Sequence, residues 1–351
     1  MSFDSIENDF ADNLPDDVSG RPVSEVLVEM AEILRQAQSV LIATHVGPDG
    51  DAIGSSVGLA LGLKSLGKEA RIFSGSSVDG RFEGIIADGS VETVDEEGAS
   101  RLAGQFDLCV LLDTSEPARS GVLEGVIFAP GQKRICIDHH LLSGEYSFDS
   151  HLAVESSPAT ACLVLWLLDE LEVAVEDDIA RALWLALATD TGWVRFSNAG
   201  RLAFQCAERL LEGGLDPEEL YSLIYGSRSG QKTRLWGRVL LEHQLSLDGR
   251  LVWSVISRET LAEAGAVRED LDGAIDLLKG VKGAHAAALL SQLDDGSFKV
   301  SLRSVESLDV ERVARELGGG GHAKAAGYST TGTAQEILDT LKDVLSTQLD
   351  T

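Results

Sequence analysis

Four short apolar runs, Ser39–Thr44, Ala70–Phe73, Leu108–Leu112 and Arg134–Ile137, alternate with segments whose apolar residues recur at helical spacing. Runs this short and this apolar read as strands buried on both faces. Strands separated by helices pair in parallel, because each helical crossover returns the chain to the same end of the sheet. The larger part of the chain is therefore expected to be α/β, a parallel sheet covered by helices. The helical segments are Val23–Gln38, Ile53–Leu66 with Gly67 as its stop, Pro158–Leu171, Asp177–Thr189 and Arg201–Leu211.

The pattern changes after about residue 225. Gln231–His243 reads as a long helix, and Gln244–Ser257 as two strands around a turn at Asp248-Gly249. His285–Leu293 and Ser297–Leu302 read as a second hairpin, and Asp309–Leu317 and Ala334–Leu345 as helices. This is a smaller α+β unit. Residues 1–21 hold Asp4, Glu7, Asp9, Asp12, Asp16 and Asp17 before the first cation, and read as an acidic disordered tail. The expected divisions are then a main domain over 22–226, a connecting helix over 227–243 and a second domain over 244–348.

Charge narrows the function. The 351 residues carry 29 Lys and Arg against 57 Asp and Glu, a net charge of −28. A protein that grips long nucleic acid needs a broad basic surface, so that class is excluded, whereas a small phosphate-bearing substrate held at a metal is not. Cys109, Cys136, Cys162 and Cys206 lie far apart in apolar stretches with no CxxC pair, which fits buried free thiols in a reducing, cytoplasmic setting. The longest apolar run, Ala159–Leu168, falls short of the ~20 residues a bilayer span needs, and the acidic start has no signal-peptide pattern.

Four motifs carry the chemistry. His45-Val-Gly-Pro-Asp49-Gly-Asp51 follows the first strand, Asp113-Thr-Ser ends the third, Asp138-His139-His140 ends the fourth, and Thr189-Asp190-Thr-Gly192 ends a helix. Open α/β sheets bind ligands beyond the carboxyl ends of their strands, so motifs at three such ends converge on one crevice. Taken singly, Pro48-Asp49-Gly50-Asp51 is a good turn and a lone Asp a good helix cap. Together, four carboxylates and two or three imidazoles without sulfur suit a hard to borderline divalent ion such as Mn²⁺. Asp49, Asp51, Asp113 and Asp190 supply a charge that two divalent ions would neutralise. Two ions about 3.5–4 Å apart can clamp the attacking and leaving oxygens of a displacement at phosphorus.

These motifs resemble the DHH phosphoesterase family, named for the triplet that stands here as Asp138-His139-His140. Gly318-Gly-Gly-Gly-His322-Ala-Lys-Ala-Ala-Gly327, with Ser301-Leu-Arg303-Ser304 upstream, resembles the substrate-binding DHHA1 domain. The string Asp190-Thr-Gly-Trp-Val-Arg195-Phe-Ser-Asn198 is similar to the NrnA-like subgroup, which acts on nanoRNA and on 3′-phosphoadenosine 5′-phosphate (pAp). The resemblance implies one ion on His45, Asp49 and Asp113 and a second on Asp51, Asp113, His139 and Asp190, with Asp113 bridging. It implies that His140 faces the scissile phosphate and that Asp138 orients an imidazole. Gly319, Gly320, Gly321 and His322, with Arg303 and Ser304, are the implied substrate cradle, and a homodimer is the implied assembly.

Two basic features stay open. Arg228, Lys232, Arg234 and Arg238, with no acid between them, form either a solvated helix face or the border of a cleft that draws in an anion. Arg195 is either a substrate contact or the partner of an acid. Trp166, Trp184, Trp236 and Trp253 read as core, and His151, His243 and His285 carry no role. The expected activity is hydrolysis of short oligoribonucleotides or pAp by a two-metal-activated hydroxide. Cyclic-di-AMP or linear pApA is the alternative substrate, and a non-catalytic nucleotide sensor is the alternative of another class.

Overall fold

In a computed structural model, which describes residues 16–82, 91–140, 144, 147–226, 228–305 and 308–349 without the side chains of Arg81 and His322, all four apolar runs are strands. The chain divides into two compact units, Met1–Gly226 and Ser227–Thr351. In the first, α1 (Val23–Gln36), β1 (Ser39–Ala43), α2 (Gly50–Ser65), β2 (Glu69–Ser74), β3 (Val91–Thr93), α3 (Glu96–Leu102) and β4 (Leu108–Leu112) come first. They are followed by α4 (Glu124–Ile127), β5 (Arg134–Asp138), β6 (Ser150–Ala153), α5 (Thr160–Glu170), α6 (Asp177–Asp190), α7 (Arg201–Glu212) and α8 (Pro217–Tyr225). The strands form one sheet in the order β3-β2-β1-β4-β5-β6, parallel throughout.

Alternation along the strands feeds two cores. Leu108, Val110 and Leu112 of β4 enter the larger cluster with α1, α2 and α5–α7, while Cys109 and Leu111 enter the smaller one with α3 and α4. The chain runs outward from β1 to β2 and β3, then returns to β4 on the other side of β1. The carboxyl ends of β1 and β4 therefore lie side by side at a topological switch point, where open α/β sheets bind ligands.

A glycine face on α2 brings the last helix of the site close. Gly50, Gly54, Gly58 and Gly62 recur every four residues and so share one side of the helix. A methyl group at Gly54 would collide with the Ala182 carbonyl oxygen and stand 2.8 Å from the Ala186 Cβ; one at Gly58 would stand 2.6 Å from Leu183 Cδ2. Only bare backbone lets α6 settle there.

Several expectations need correction. Among the described residues the sheet has six strands, because Val91–Thr93 and Ser150–Ala153 join its edges; both are short and polar enough to be silent in the apolar pattern. Of the expected tail, residues 1–15 lie outside the described residues. Residues 16–21 are an ordered turn in which Asp17 Oδ1 accepts from Ser19 N and Arg21 N (2.9 and 2.8 Å), and Val18 N donates to Ala153 O at 2.9 Å. Among the described residues no helix is long and apolar enough to cross a membrane, and all four cysteines are buried free thiols.

The second unit holds α9 (Gly230–Leu241), β7 (Gln244–Ser246), β8 (Leu251–Ile256), α10 (Arg258–Ala264), α11 (Ala274–Lys279), β9 (Ala286–Gln292) and β10 (Phe298–Ser304). It ends with α12 (Val310–Glu316), β11 (Gly320–His322), β12 (Ala325–Thr330) and α13 (Ala334–Leu349). The sheet order is β11-β12-β10-β9-β8-β7, with β8 and β9 parallel and the other pairs antiparallel. Both expected hairpins are present. The helix expected as a connector, α9, sinks Leu235 and Val239 into the core beneath β8 and β9. The glycine run is partly strand: Gly320 pairs with Gly327 and His322 with Ala325.

The glycine face yields a paired expectation. Gly54→Ala overpacks the α2–α6 contact and is expected to cost about 1–3 kcal/mol of stability. Gly237, in the interior of α9 with nothing within 4 Å of an added methyl, is the control: Gly237→Ala is expected to gain up to about 1 kcal/mol. Urea unfolding of both variants checks this, and equal behaviour would refute the close-approach argument.

Candidate metal centre

The end of β1 leads through His45 to Asp49, which caps α2. Its Oδ1 accepts from Asp51 N at 3.0 Å and Ala52 N at 3.1 Å, so the cap and the putting of Asp51 on the first turn are one event. β4 ends in Asp113, whose φ is +61°, a left-handed conformation that a non-glycine residue holds only under constraint. The bond from Asp113 N to Ile137 O at 3.0 Å supplies part of that constraint. β5 ends in Asp138, with His139 and His140 following, and α6 ends in Asp190.

These side chains meet. Asp113 divides its two oxygens: Oδ2 lies 3.5 Å from His45 Nε2, and Oδ1 lies 3.6 Å from His139 Nε2 and 3.6 Å from His140 Nδ1. His139 Nε2 also stands 3.6 Å from Asp51 Oδ2 and 3.9 Å from Asp190 Oδ2. Among the described residues, three groups have donor atoms within 4.8 Å of one another: His45, Asp49 and Asp113; Asp51, His139 and Asp190; and Asp113, His139 and His140.

The donor chemistry fits a cation. His139 Nδ1 faces the Ser157 carbonyl at 3.2 Å, which fixes the proton on that nitrogen and leaves Nε2 as a lone pair. Nε2 is buried with no hydrogen-bond partner, and three carboxylates surround it. Lone pairs aimed at lone pairs repel unless a positive ion lies between them, so this set fits divalent metal, with oxygen and nitrogen donors and no sulfur.

The acids respond to their burial. Asp51 and Asp113 are each 1% exposed. Burial pushes the Asp113 carboxyl well above its ordinary range, and the charges of Asp51 and Asp49 push it further. Burial likewise raises Asp51, and it carries Asp190 up to about 7 with help from Asp51. Asp138 is the opposite case: burial raises it, but the hydrogen bond and charge of His140 and the Ser115 hydroxyl outweigh that, and it sits below the usual range. Burial lowers both imidazoles, yet both end above the usual value, His139 through Asp51, Asp113 and Asp190 and His140 through Asp138.

Sequence reasoning missed the residues that hold these acids. Thr160 N and Ala161 N, the first N–H groups of α5, donate to Asp51 at 2.7 and 3.1 Å, so a helix N-terminus faces the buried charge. Thr160 Oγ1 donates to Asp113 Oδ1 and Ser55 Oγ to Asp51 Oδ1, both at 2.9 Å. Asn198 Nδ2 ties Asp190 Oδ2 (3.1 Å) to Pro158 O (3.0 Å). His151, assigned no role, stands 2.9 Å from Ser115 Oγ. A cavity of about 500 Å³ adjoins Asp49, walled by Val78, Phe82, Ile224 and Tyr225. The nearest sequence signals are the Pro158-Ala159-Thr160 helix start and the small residues of α2.

The expected substrate contacts are placed differently. Arg195 donates from Nε to its own turn at Gly192 O, 2.6 Å. In the second unit Arg303 has Nε 3.6 Å from Asp276 and lines a cavity of about 400 Å³ with Arg268, Lys299 and Ser301. Ser304 is a correction: it alternates to the opposite face of β10 from Arg303, is buried, and donates its hydroxyl to Leu308 O at 2.8 Å. Gly321 has φ +143°, and a methyl there would stand 2.6 Å from Ala325 O; the His322 side chain lies outside the described residues. The basic helix is partly matched by acids from elsewhere, Arg238 pairing with Glu242 and Glu263 at 3.1 Å each. Arg228 and Lys232 lie over the half-buried ring of Trp236, which was expected in the core. Trp184 and Trp253 are also half-buried; only Trp166 of the four is fully inside.

A family model described as the DHH family, N-terminal domain, matches residues 39–187, and one described as the DHHA1 domain matches residues 249–347. The chain is 34% identical to the bifunctional oligoribonuclease and PAP phosphatase NrnA of Thermus thermophilus over 325 residues, 90% of this chain and 94% of that one. It is 25% identical to the cyclic-di-AMP phosphodiesterase GdpP of Geobacillus thermodenitrificans over 92% of this chain and 49% of that protein. Among solved structures, an exopolyphosphatase-related protein from Bacteroides fragilis shares the fold, with a TM-score of 0.86 at 23% identity, covering 92% of this chain and 96% of that one.

The raised carboxyls make the metal-free chain pH-sensitive. A carboxyl held near 7 in the folded state and near 4 in the unfolded one leaves the folded state binding more protons between those values. Stability is then lost as pH rises through that window, and the loss is complete above the folded value. With chelator present, Asp190→Asn is expected to stabilise the chain more at pH 8 than at pH 6, by about 1 kcal/mol between the two. Thermal unfolding at both values reads the difference; whole-chain repulsion is common to both proteins and cancels. An equal effect at both pH values would refute the assignment.

Proposed function

Because the chain belongs to the DHH family, we propose that it is a Mn²⁺-dependent phosphoesterase that hydrolyses short oligoribonucleotides, pAp or both. The observation that carries this reading is the division of Asp113, one oxygen toward His45 and the other toward His139. One ion is assigned to His45, Asp49 and Asp113, and a second to Asp51, Asp113, His139 and Asp190. Divalent ions held there would supply Lewis acidity, lowering the pKa of a water toward about 7 and neutralising charge on phosphoryl oxygens.

The chain's own groups do the rest. Asp138 accepts from His140 Nδ1 at 2.9 Å, so the ring is assigned to present Nε2 to the reacting phosphate, and the same bond raises its proton affinity, which favours the charged ring that can donate there. Thr160 and Ser55 hold Asp113 and Asp51 in register for the ions. Arg303, with the neighbouring cations Lys299 and Arg268, is assigned to bind a substrate phosphate, which a guanidinium can grip through two donors. Gly319, Gly320, Gly321 and His322 complete that contact, and Arg195 serves on the first unit. A cytoplasmic setting accords with the four free thiols.

Three tests follow. His139→Ala is expected to lose one metal equivalent, whereas His140→Ala keeps its metal and loses about 10²–10³ in kcat, the usual effect of removing one donor to a developing charge. Metal analysis giving the reverse order would overturn the two roles.

The second test is a substrate panel with Mn²⁺, resolved by product chromatography: pAp, di- to pentanucleotide RNA, a 20-nucleotide RNA, cyclic-di-AMP and pApA. A chain of −28 offers a long strand little but repulsion, so the short substrates are expected to be cleaved much faster than the 20-mer. Equal rates would overturn that reading. Preference for cyclic-di-AMP or pApA would select the second reading, which the 25% identity to GdpP favours. Binding with no product from any substrate would select the sensor.

The third test removes metal. Chelation is expected to abolish turnover and Mn²⁺ to restore it better than Zn²⁺; full activity of the metal-free protein would refute the mechanism.

A further inference from the structure

The His140 ring is held by a chain of hydrogen bonds that reaches well behind the metal centre. His140 Nδ1 donates to Asp138 Oδ1 at 2.9 Å, and the His140 backbone N–H donates to the same oxygen at 3.1 Å. The other oxygen, Asp138 Oδ2, accepts from Ser115 Oγ at 2.7 Å. Ser115 has one hydroxyl proton and gives it to Asp138, so toward His151 Nε2, 2.9 Å away, it can only accept. That fixes the His151 proton on Nε2.

The surroundings keep the chain in place. β6 pairs with β5 so that His151 lies opposite Cys136, two residues before Asp138. The Phe148 ring packs against the His151 ring, with centroids 5.0 Å apart. Ser115 and Asp138 are buried, at 4% and 1% exposure, so neither can replace a lost partner with bulk water at little cost.

We propose that His151 is a positioning residue for the reaction: by donating to Ser115 it orients the hydroxyl that holds Asp138, and through Asp138 it sets the angle of the His140 ring. His151 touches neither substrate nor metal ligand. Without it the Ser115 hydroxyl is free to rotate toward other acceptors, among them the Thr114 carbonyl that the Cys136 thiol already faces at 3.4 Å. Asp138 then loses its second restraint, and the His140 Nε2 donor departs from the line to the reacting oxygen. This rests on the reading of the site as a phosphoesterase, and it assigns to His151 a part in that site that its position outside every motif conceals.

The experiment combines kinetics, metal content and the low-field resonance of the His140 Nδ1 proton, assigned by its loss in His140→Ala. His151→Leu is expected to lower kcat about 10- to 100-fold, as loss of an outer partner commonly does, with KM and metal content unchanged and the His140 resonance shifted or broadened. His151→Gln, whose amide can donate from nearly the same place, is expected to recover most of the loss and the resonance. Ser115→Ala is expected to match His151→Leu, and the double variant to be no worse than either, since the two act in series. Wild-type kcat with an unmoved resonance in His151→Leu would overturn the proposal, as would a double variant whose loss is the product of the two, or a Gln variant no better than Leu. If the wild type turns over no substrate, the phosphoesterase reading fails, and the resonance in the same variants still decides whether His151 orients His140.

Discussion

Two carboxylates with almost no solvent, Asp51 and Asp113, set the conditions that the rest of the first unit meets. An isolated buried charge costs several kcal/mol unless it is hydrogen-bonded and paired. The fold answers with the N-terminus of α5 on Asp51, hydroxyls from Ser55 and Thr160, and the His139 ring between the acids. These partners do not exhaust the negative charge, and burial raises three of the carboxyls above their ordinary range. A positive charge at the centre of the cluster would balance these acids, which is the physical reason the set could hold a metal ion.

Bringing those acids together governs the helices as well. Asp51 stands on the first turn of α2 and Asp190 on the last turn of α6, so their separation is set by how closely the two helices pack. Glycines every four residues on α2 allow that approach, and Asn198 then ties Asp190 back to the loop before α5. The left-handed Asp113 belongs to the same design: local strain is kept where both carboxylate oxygens must face different donors.

The adjacent histidines show how environment divides labour between identical side chains. His139 spends Nδ1 on the Ser157 carbonyl and keeps Nε2 inside, among carboxylates. His140 spends Nδ1 on Asp138 and is the more exposed of the two rings. The second unit repeats the lesson in a strand. Arg303 and Ser304 are neighbours in sequence, yet alternation gives the arginine to an open pocket with Lys299 and the serine to the core.

By itself the sequence determined the parallel sheet, its carboxyl-end motifs and the six residues that meet there. Apolar periodicity and an acid at the end of a strand are local properties, and local properties survive in a linear text. The edge strands Val91–Thr93 and Ser150–Ala153 escaped because strands of three and four residues that carry polar side chains have no apolar signature, and β11 because glycine favours no strand. Thr160, Ser55, Asn198, Ser115 and His151 escaped for another reason. Ser115 and Asn198 lie inside strings read for their acids, Ser55 sits one helical turn from Asp51, and Thr160 and His151 acquire their parts only when groups distant in sequence, Asp51 and Ser115, arrive beside them. Only the tertiary structure decided those parts, because a hydrogen bond is specified by where two groups end up, and the folding of the intervening chain alone puts them there.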